Sequence, residues 1–322
     1  MPNNPYKFEL RSLLSRLPLG VQSALRRLRD PPFRQWEAIR PWAITLKSYT
    51  EYLLAEKEYS SLFAARRLIE AELQEPLANL QSAVQPGYCW ACRSIKELKV
   101  DLLYSDGQNV NWRERLTCPT CGLNNRIRLI AQYFDRIPKD ENPRAYVTEH
   151  VTHLAGYLTE RYPGVVTSEY LGASFKPGEK NAQGVRHEDV TSLSFGNSEF
   201  DYVLSFDVLE HVPSYRNALS EFHRVLKPGG KLILTAPFVC SYPANLVRAI
   251  VNADGSTNHI LPPEYHGDPI HADRGILCYY HFGWELIENL IATGFHDAGL
   301  SLNWSLPYGH IGGEQILISA SK

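Results

Sequence analysis

The chain has 322 residues, of which 44% are hydrophobic and 21% charged. That length allows two or three hydrophobic cores, and that composition excludes a disordered chain. The first residues, MPNNPYKFEL, lack the apolar stretch of a signal peptide, and no run approaches the ~18 to 20 apolar residues that cross a bilayer. We therefore expect a globular, cytoplasmic protein without a transmembrane segment.

Charge is distributed unevenly along the chain. Residues 1–70 carry 12 Lys and Arg against 7 Asp and Glu, whereas residues 145–322 carry 11 against 19 and hold all eleven histidines. Enzymes that act on nucleic acids usually surround the active site with positive potential. The acidic C-terminal half argues against a nucleic-acid partner and favours a neutral or cationic substrate.

Residues 1–85 have the pattern of a helical region. Two segments place apolar residues at the i, i+3, i+4, i+7 spacing of one helix face: Leu10, Leu13, Leu14 and Leu17, then Leu62, Ala65, Ile69 and Leu73. One interpretation is a helical subdomain packed on the rest of the chain. The other is an interaction surface, with Arg26, Arg27 and Arg29, for a membrane, an acidic protein partner or a second copy of the chain in a homo-oligomer.

Residues 86–125 contain two CxxC pairs, Cys89 with Cys92 and Cys118 with Cys121. Two such turns brought together complete a tetrahedral thiolate site, which predicts a zinc ribbon with a closed, structural Zn²⁺. The segment between the pairs predicts a hairpin around an Asp106-Gly107 turn. The alternative is redox-active or merely buried cysteines. Cys240 and Cys278 are expected to be ordinary buried or pocket-lining thiols.

Residues 126–322 predict an α/β domain. After a helix at 124–138, short apolar strands at 144–149, 165–171 and 200–207 alternate with helical patterns, which is typical of a parallel sheet. A strand KLILTAPF, a helix WELIENLIATGF and two strands near 297–304 and 314–320 complete the pattern.

The stretch FDYVLSFDVLEHVPSYRNALSEFHRVLKPGGKLILTAPF resembles the second half of a class I S-adenosylmethionine-dependent methyltransferase. The likeness covers residues 144–322 and leaves the N-terminal helices and the ribbon outside. It implies a Rossmann-like, seven-stranded sheet with S-adenosylmethionine across the carboxyl ends of its first strands. It also implies acidic residues that end the first and second strands and follow the third, which are Glu149, Glu169 and Asp189 here.

The ribose position is also supported by spacing alone. A carboxylate accepts both ribose hydroxyl protons, and the position about twenty residues after the first turn is where the next strand ends. Glu169 is therefore the first candidate for the ribose. Ser205 and Phe206 end the fourth strand and complete the predicted cofactor site, and Asp207 after them is a candidate catalytic residue bordering the transfer site.

The first loop departs from the family pattern. Where the family has glycines, the stretch RAYVTEHVTHLAG has Val151, His153 and Ala155, whose side chains would crowd a ligand. Either the cofactor lies further out, with Thr148, Thr152 or His153 contacting its methionine part, or the site has lost the cofactor and the domain is a scaffold. The predicted cofactor residues include Thr152 and His153.

The segment 258–284 is expected to cover the methyl acceptor. Its polar residues include candidate substrate-binding side chains, namely His259, Tyr265, Asp268, His271 and His281. His266 is the first candidate for a general base, because imidazole titrates near neutral pH. Two alternatives stay open: a second metal site of the His/carboxylate kind, and a lid whose side chains bond one another. His211 is a further catalytic candidate, or a structural hydrogen-bonding residue near the cofactor.

The combined prediction is an enzyme that transfers a methyl group to an O or N atom of a small molecule or saccharide. The alternatives are a methyltransferase-like adaptor without activity, and an RNA methyltransferase that uses the ribbon as its reader.

Overall fold

The computed structural model describes residues 40–107, 109–137, 140–267 and 275–322. The predicted stripe at Leu10 to Leu17 and the arginines at 26, 27 and 29 lie outside the described residues, as do Asp268 and His271. Within the described part, no helix has the length and apolarity that a membrane span requires.

A seven-stranded mixed sheet organises the fold, in the spatial order β1-β14-β15-β7-β6-β4-β5. Its parallel half consists of β4 (Ala145–Val147), β5 (Val165–Thr167), β6 (Phe200–Phe206) and β7 (Leu226–Thr235). Its antiparallel half consists of β1 (Trp42–Leu46), β14 (His296–Ser305) and β15 (His310–Ser321). The predicted α/β class and the seven strands are confirmed.

One of the seven strands is not the expected one. The resemblance implies a third strand just before Asp189. Only a single parallel bridge, between Glu169 and His187, forms there. The seventh strand is β1, which comes from the N-terminal region and pairs with β14 from Trp42 opposite Trp304 to Leu46 opposite Leu300. The region 1–85, predicted as helical, therefore contains an edge strand before its helix.

Five helices are described. They are α1 (Tyr49–Gln74), α2 (Asn125–Arg136), α3 (His153–Arg161), α4 (Tyr215–Val225) and α5 (Glu285–Thr293). Polar caps begin three of them: the side chains of Ser48, Asn124 and Thr152 each accept a backbone N–H of the first turn. Gly294 ends α5 with φ +109°, a left-handed conformation that glycine adopts without strain.

Two apolar layers enclose the sheet. One contains the buried faces of α4 and α5, including Phe222 and Leu290, together with Trp284. The other contains α2 and α3, with Phe134 and Leu158 fully buried. These layers leave the carboxyl ends of β4, β5 and β6 open for loops, which is where ligands bind in sheets of this kind.

Helix α1 is fastened to the last hairpin of the sheet. The Glu70 carboxylate is buried and accepts the indole N–H of Trp304 and the backbone N–H groups of Gly312 and Gly313 at 2.8–3.0 Å. Arg66 pairs with Glu314 at 3.0 Å. The predicted stripe on this helix is partly wrong, because Leu62 is exposed while Ile69 is buried.

The cysteine-rich segment forms a different hairpin from the predicted one. Strands β2 (Ser82–Cys89) and β3 (Ser94–Asp101) pair across a turn that contains the first CxxC pair. After Asp106-Gly107 the chain returns only through a bridge between Lys99 and Thr117. The prediction of a hairpin around Asp106-Gly107 was wrong, because the hairpin turn lies between Cys89, where β2 ends, and Ser94, where β3 begins.

Short strands cover the edge of the domain between β7 and α5. They are β8 (Leu246–Val247), β9 (Ala249–Val251), β10 (Thr257–His259), β11 (Tyr265–His266), β12 (Ile276–Leu277) and β13 (Tyr280–His281). They form three two-stranded antiparallel pairs, β9 with β10, β11 with β12, and β8 with β13. A short 3-10 turn, Leu209–His211, lies beneath this cover, and its Glu210 carbonyl accepts the Tyr279 backbone N–H at 2.7 Å.

Candidate active site

Three polar side chains meet at the carboxyl ends of β4 and β6. Thr148 and Ser205 follow the paired residues Val147 and Leu204, and Thr148 N–H donates to Leu204 O at 3.0 Å. The Thr148 and Ser205 hydroxyls and Glu149 Oε1 are buried without a hydrogen-bond partner among the described residues. Because a buried polar atom costs free energy when it is unpaired, this edge is prepared for a polar ligand.

Glu149 has an unusual electrostatic environment. Burial raises the pKa of its carboxyl to about 7, and the negative charges of Glu169 and Asp207 act in the same direction. A bound cation would favour the ionised form and reverse this shift. The side chain is therefore suited to a ligand that carries positive charge.

The glycine-poor first loop is held by Glu169. Its Oε1 accepts the backbone N–H groups of His150 at 2.7 Å and Val151 at 3.0 Å. Strand β5 ends at Thr167, so Glu169 lies two residues beyond it and reaches across to the neighbouring loop. One oxygen of Glu169 is thus engaged by the loop.

The other predicted cofactor residues occupy different positions. Thr152 caps α3 by accepting Ala155 N–H at 3.1 Å. The His153 ring lies against Gly122, where an added Cβ would come within 2.7 Å of it, so it packs on the second cysteine turn. Asp189 Oδ1 accepts the N–H and the hydroxyl of Thr191 within its own turn. Phe206 is buried in the layer of α2 and α3.

Asp207 lies between two arginines, Arg113 and Arg126, that come before the parallel half of the sheet in the chain. Arg113 donates to both of its oxygens at 2.7 and 2.9 Å, and Arg126 approaches at 3.2 Å. Burial alone would raise the pKa of Asp207, but these two cations outweigh it and hold that pKa well below its usual range. A carboxylate so paired is a poor proton acceptor, which weighs against the predicted catalytic role.

The four ribbon cysteines converge. Their sulfurs all lie within 4.8 Å of one another, with 3.6 Å between Cys89 and Cys121 and 3.7 Å between Cys92 and Cys118. All four are free thiols. Arg128, fully buried beside them, donates to the carbonyls of Tyr308 and Gly309 in the β14–β15 loop and places a positive charge next to the cluster.

The segment 258–284, which was predicted to cover the methyl acceptor, brings together His266, His281 and Glu264. Glu264 Oε1 lies 3.0 Å from a ring nitrogen of each histidine, and Arg248 contacts the other oxygen at 3.1 Å. The neighbouring Cys278 and Glu210 side chains raise the pKa of His266 to about 11. Without a bound cation beside it, an imidazole with so high a pKa keeps its proton at neutral pH, which weighs against the predicted general-base role of His266.

Two other predicted substrate residues stand apart from this cluster. His259 is exposed in β10, and Tyr265 is 57% exposed in β11. His211 lies nearer the sheet, where its Nδ1 is 2.8 Å from the Leu277 carbonyl.

Sequence reasoning missed three residues that shape the site. Arg113 and Arg126 come from the ribbon and from α2, and nothing in their local pattern pointed to the sheet edge. Glu210 was not among the predicted residues, although it directly precedes the predicted His211 in the turn after β6. Its surroundings are decided by β11 and β12, which lie more than fifty residues further along the chain.

Comparison with known proteins supports the fold assignment. Residues 147–234 match the protein family described as "Methyltransferase domain". The matched segment runs from the end of β4 to β7 and includes Thr148, Glu149, Glu169 and Ser205.

The similar curated proteins match only short stretches. A demethylmenaquinone methyltransferase of Staphylococcus epidermidis is 49% identical over 47 residues, which is 15% of this chain and 20% of that protein. Sterol 24-C-methyltransferase ERG6A of Gibberella zeae is 29% identical over 110 residues, 34% of this chain and 24% of that protein. The chain thus spans about a fifth to a quarter of the length of these relatives.

Among solved structures, an S-adenosylmethionine-dependent methyltransferase from Mesorhizobium loti superposes with a TM-score of 0.37 at 14% identity, covering 59% of this chain and 95% of that one. The family match and the parallel strand order β7-β6-β4-β5 agree on the same segment. Residues 147–234 are therefore the part of the chain that is similar to the methyltransferase-domain family.

Proposed function

We propose that the protein is an S-adenosylmethionine-dependent methyltransferase that acts on an O or N atom of a small molecule. The observation that carries the proposal is the group of buried, unpartnered polar atoms on Thr148, Glu149 and Ser205, inside the matched segment. A scaffold domain that had lost its ligand would have no reason to leave these atoms unpaired.

The residues at this edge fit S-adenosylmethionine. Because the first loop lacks the family's glycines, one Glu169 oxygen holds that loop and the other would be left for the cofactor. Glu169 would accept the ribose hydroxyls through Oε2, since Oε1 already accepts the backbone N–H groups of the loop. Glu149 and Thr148 would face the cationic methionine part. When bound, S-adenosylmethionine supplies an activated methyl group on a sulfonium. The chain's own contribution is alignment of the acceptor and exclusion of water, which is worth most in a reaction of this kind.

The acceptor is proposed as neutral or cationic because the C-terminal half of the chain is acidic. A saccharide is one such acceptor. The relatives described above are named for other small molecules, demethylmenaquinone and a sterol. Asp207 is not proposed as a base, because Arg113 and Arg126 form ion pairs with it.

The four cysteines are proposed to hold one structural Zn²⁺. Sulfurs at about 2.3 Å from a tetrahedral zinc lie about 3.8 Å apart, and the separations of 3.6 and 3.7 Å agree with that spacing. Four protein sulfurs leave no open position, so the ion would stabilise the ribbon and take no part in transfer.

Calorimetry with S-adenosylmethionine and S-adenosylhomocysteine tests the proposal. We expect wild-type protein to bind both, and Glu169→Gln to bind them about 5- to 150-fold more weakly, since a charged hydrogen bond contributes about 1 to 3 kcal/mol. Glu179→Gln is the matched control, because the Glu179 side chain accepts Lys176 N–H in an exposed turn.

The outcomes separate the alternatives. Absence of heat with either compound at high protein concentration would support the adaptor interpretation. Tight binding that Glu169→Gln leaves unchanged would place the ribose elsewhere. Binding of bulk RNA that weakens steeply with salt would support the RNA methyltransferase instead.

A further inference from the structure

A second cluster of ligand-type side chains lies three residues beyond Asp207. Glu210 and His211 belong to the 3-10 turn after β6, and His266 reaches them from β11. One donor atom from each side chain lies within 4.8 Å of the other two. We call these three residues the Glu210 cluster.

Glu210 is the unusual member. Its side chain has no solvent exposure, and neither carboxylate oxygen has a hydrogen-bond partner among the described residues. A buried carboxylate is strongly unfavourable unless it is paired, hydrogen-bonded or coordinates a metal. The unsatisfied oxygens therefore point to a ligand that is itself a cation.

The distances within the cluster fit ligands of one ion better than hydrogen bonds. Glu210 Oε1 lies 3.7 Å from His211 Nε2 and 3.7 Å from His266 Nδ1. These separations exceed the ~3.2 Å limit of a good hydrogen bond. Two atoms bound at about 2.1 Å to a tetrahedral ion lie about 3.4 Å apart, so small side-chain shifts would complete the site.

The opposite ring nitrogens are already held. His211 Nδ1 lies 2.8 Å from the Leu277 carbonyl, and His266 Nε2 lies 3.0 Å from Glu264 Oε1. Histidines that bind metals characteristically donate their second N–H to a carbonyl or a carboxylate, which fixes the tautomer and the ring orientation. Both imidazoles thus present their remaining nitrogen towards Glu210.

Cys278 and Glu264 form a neighbouring group with His266, but both have other partners. The Cys278 thiol donates to the Tyr280 carbonyl at 3.2 Å, and Glu264 is engaged by two histidines and Arg248. The unsatisfied charge belongs to Glu210, which favours an ion on its side of His266.

We infer that Glu210, His211 and His266 bind a divalent transition-metal ion. Two imidazoles and one carboxylate are a donor set used for Zn²⁺ and Fe²⁺, and three protein ligands leave coordination positions for water or for an oxygen of a substrate. The His266 side chain is 31% exposed, so solvent reaches this side of the cluster. The inference goes beyond methyl transfer, because it concerns metal binding by the free protein.

The test is titration of purified protein with Co²⁺, followed by calorimetry and visible absorption, with zinc content measured in the same samples. We expect wild-type protein to bind one Co²⁺ in addition to any zinc in the ribbon, with absorption bands of nitrogen and oxygen ligation. Glu210→Gln and His266→Gln should each weaken this binding by more than about 100-fold, because even outer-shell partners contribute 10–100-fold.

His259→Ala is the control, since His259 is an exposed histidine of the same segment and should leave Co²⁺ binding unchanged. His266→Gln guards against misfolding of the Glu210 variant, because His266 is partly exposed, and circular dichroism verifies the fold of each protein. Equal Co²⁺ affinity of wild type and both variants, or no Co²⁺ beyond the zinc released, would overturn the inference. A thiolate band that Cys278→Ser abolishes would overturn this ligand set.

Discussion

We call the side of the sheet edge that faces residues 86–125 the ribbon side, and the side that faces segment 258–284 the acceptor side. The carboxylates Asp207 and Glu210, one on each side, have opposite surroundings. Asp207, on the ribbon side, accepts hydrogen bonds from Arg113 and Thr235 and is approached by Arg126. Glu210, three residues later on the acceptor side, is more deeply buried and has no such partner among the described residues. The carboxyl of one is held ionised, while burial raises the pKa of the other.

This difference separates structural charge from charge available to a ligand. Asp207 joins the ribbon and α2 to the sheet through its ion pairs with Arg113 and Arg126. Its negative charge is therefore neutralised within the protein and is not available to a ligand. Glu149 and Glu210 have unsatisfied oxygens and raised pKa values, which is the signature expected where a cationic ligand binds. Position after a strand does not by itself decide the role of a carboxylate.

The largest expected effect on the ribbon side comes from the cysteines. Replacing Cys89 and Cys118 with serine should remove one zinc per chain, as measured by elemental analysis, and unfold the ribbon. Structural zinc sites contribute roughly 10–16 kcal/mol in isolated fingers, so the melting temperature should fall further than in any other variant here. Cys240→Ser, outside the cluster, should keep the zinc. Zinc retained by the double variant would contradict the ligand assignment.

Asp207→Asn tests whether the ribbon side depends on its ion pairs. The change leaves Arg113 and Arg126 without their partner and should lower the free energy of unfolding by about 2 to 4 kcal/mol, since broken buried pairs are costly. Asp297→Asn is the control, because Asp297 pairs with Lys47 on the open surface and its loss should leave stability near wild type. Similar urea midpoints for both variants would remove the contrast between the two sides.

A smaller effect is expected for Glu149→Gln. The folded pKa of about 7 exceeds the unfolded value of 4.5, so the folded state keeps a proton that the unfolded state releases. Wild-type stability should therefore fall by up to about 3 kcal/mol as pH rises from about 4.5 to 7, and stay level above it. The variant should lack this slope. Urea unfolding across that window measures it, and parallel curves for the two proteins would refute the raised pKa.

The parallel half of the sheet could be predicted from the sequence because its signals are local. The run FDYVLSFD formed β6 at Phe200–Phe206, and the helix expected at 124–138 formed at Asn125–Arg136. Strand β1 could not be predicted in the same way, since its five residues gain stability only by pairing with β14, some 250 residues away.

The site was predictable as a place more than as a set of roles. The sequence indicated that Glu149, Glu169 and Asp207 would end neighbouring strands, and β4, β5 and β6 place them there. It did not indicate that Arg113 would meet Asp207 or that Glu169 would hold the first loop. These contacts depend on how the ribbon and the loops fold over the sheet edge, which no local pattern encodes.

The pairing of β1 with β14 and the grip of Glu70 on the final hairpin have a practical consequence. Strand β1 and helix α1, which precede the ribbon, contact β14 and the final hairpin, which follow it by about 200 residues. The ribbon is therefore inserted between two parts of one packed unit and is not a separate domain on a linker. A protein trimmed to begin at the ribbon would expose the flank of β14, whose unpaired backbone invites association with other chains.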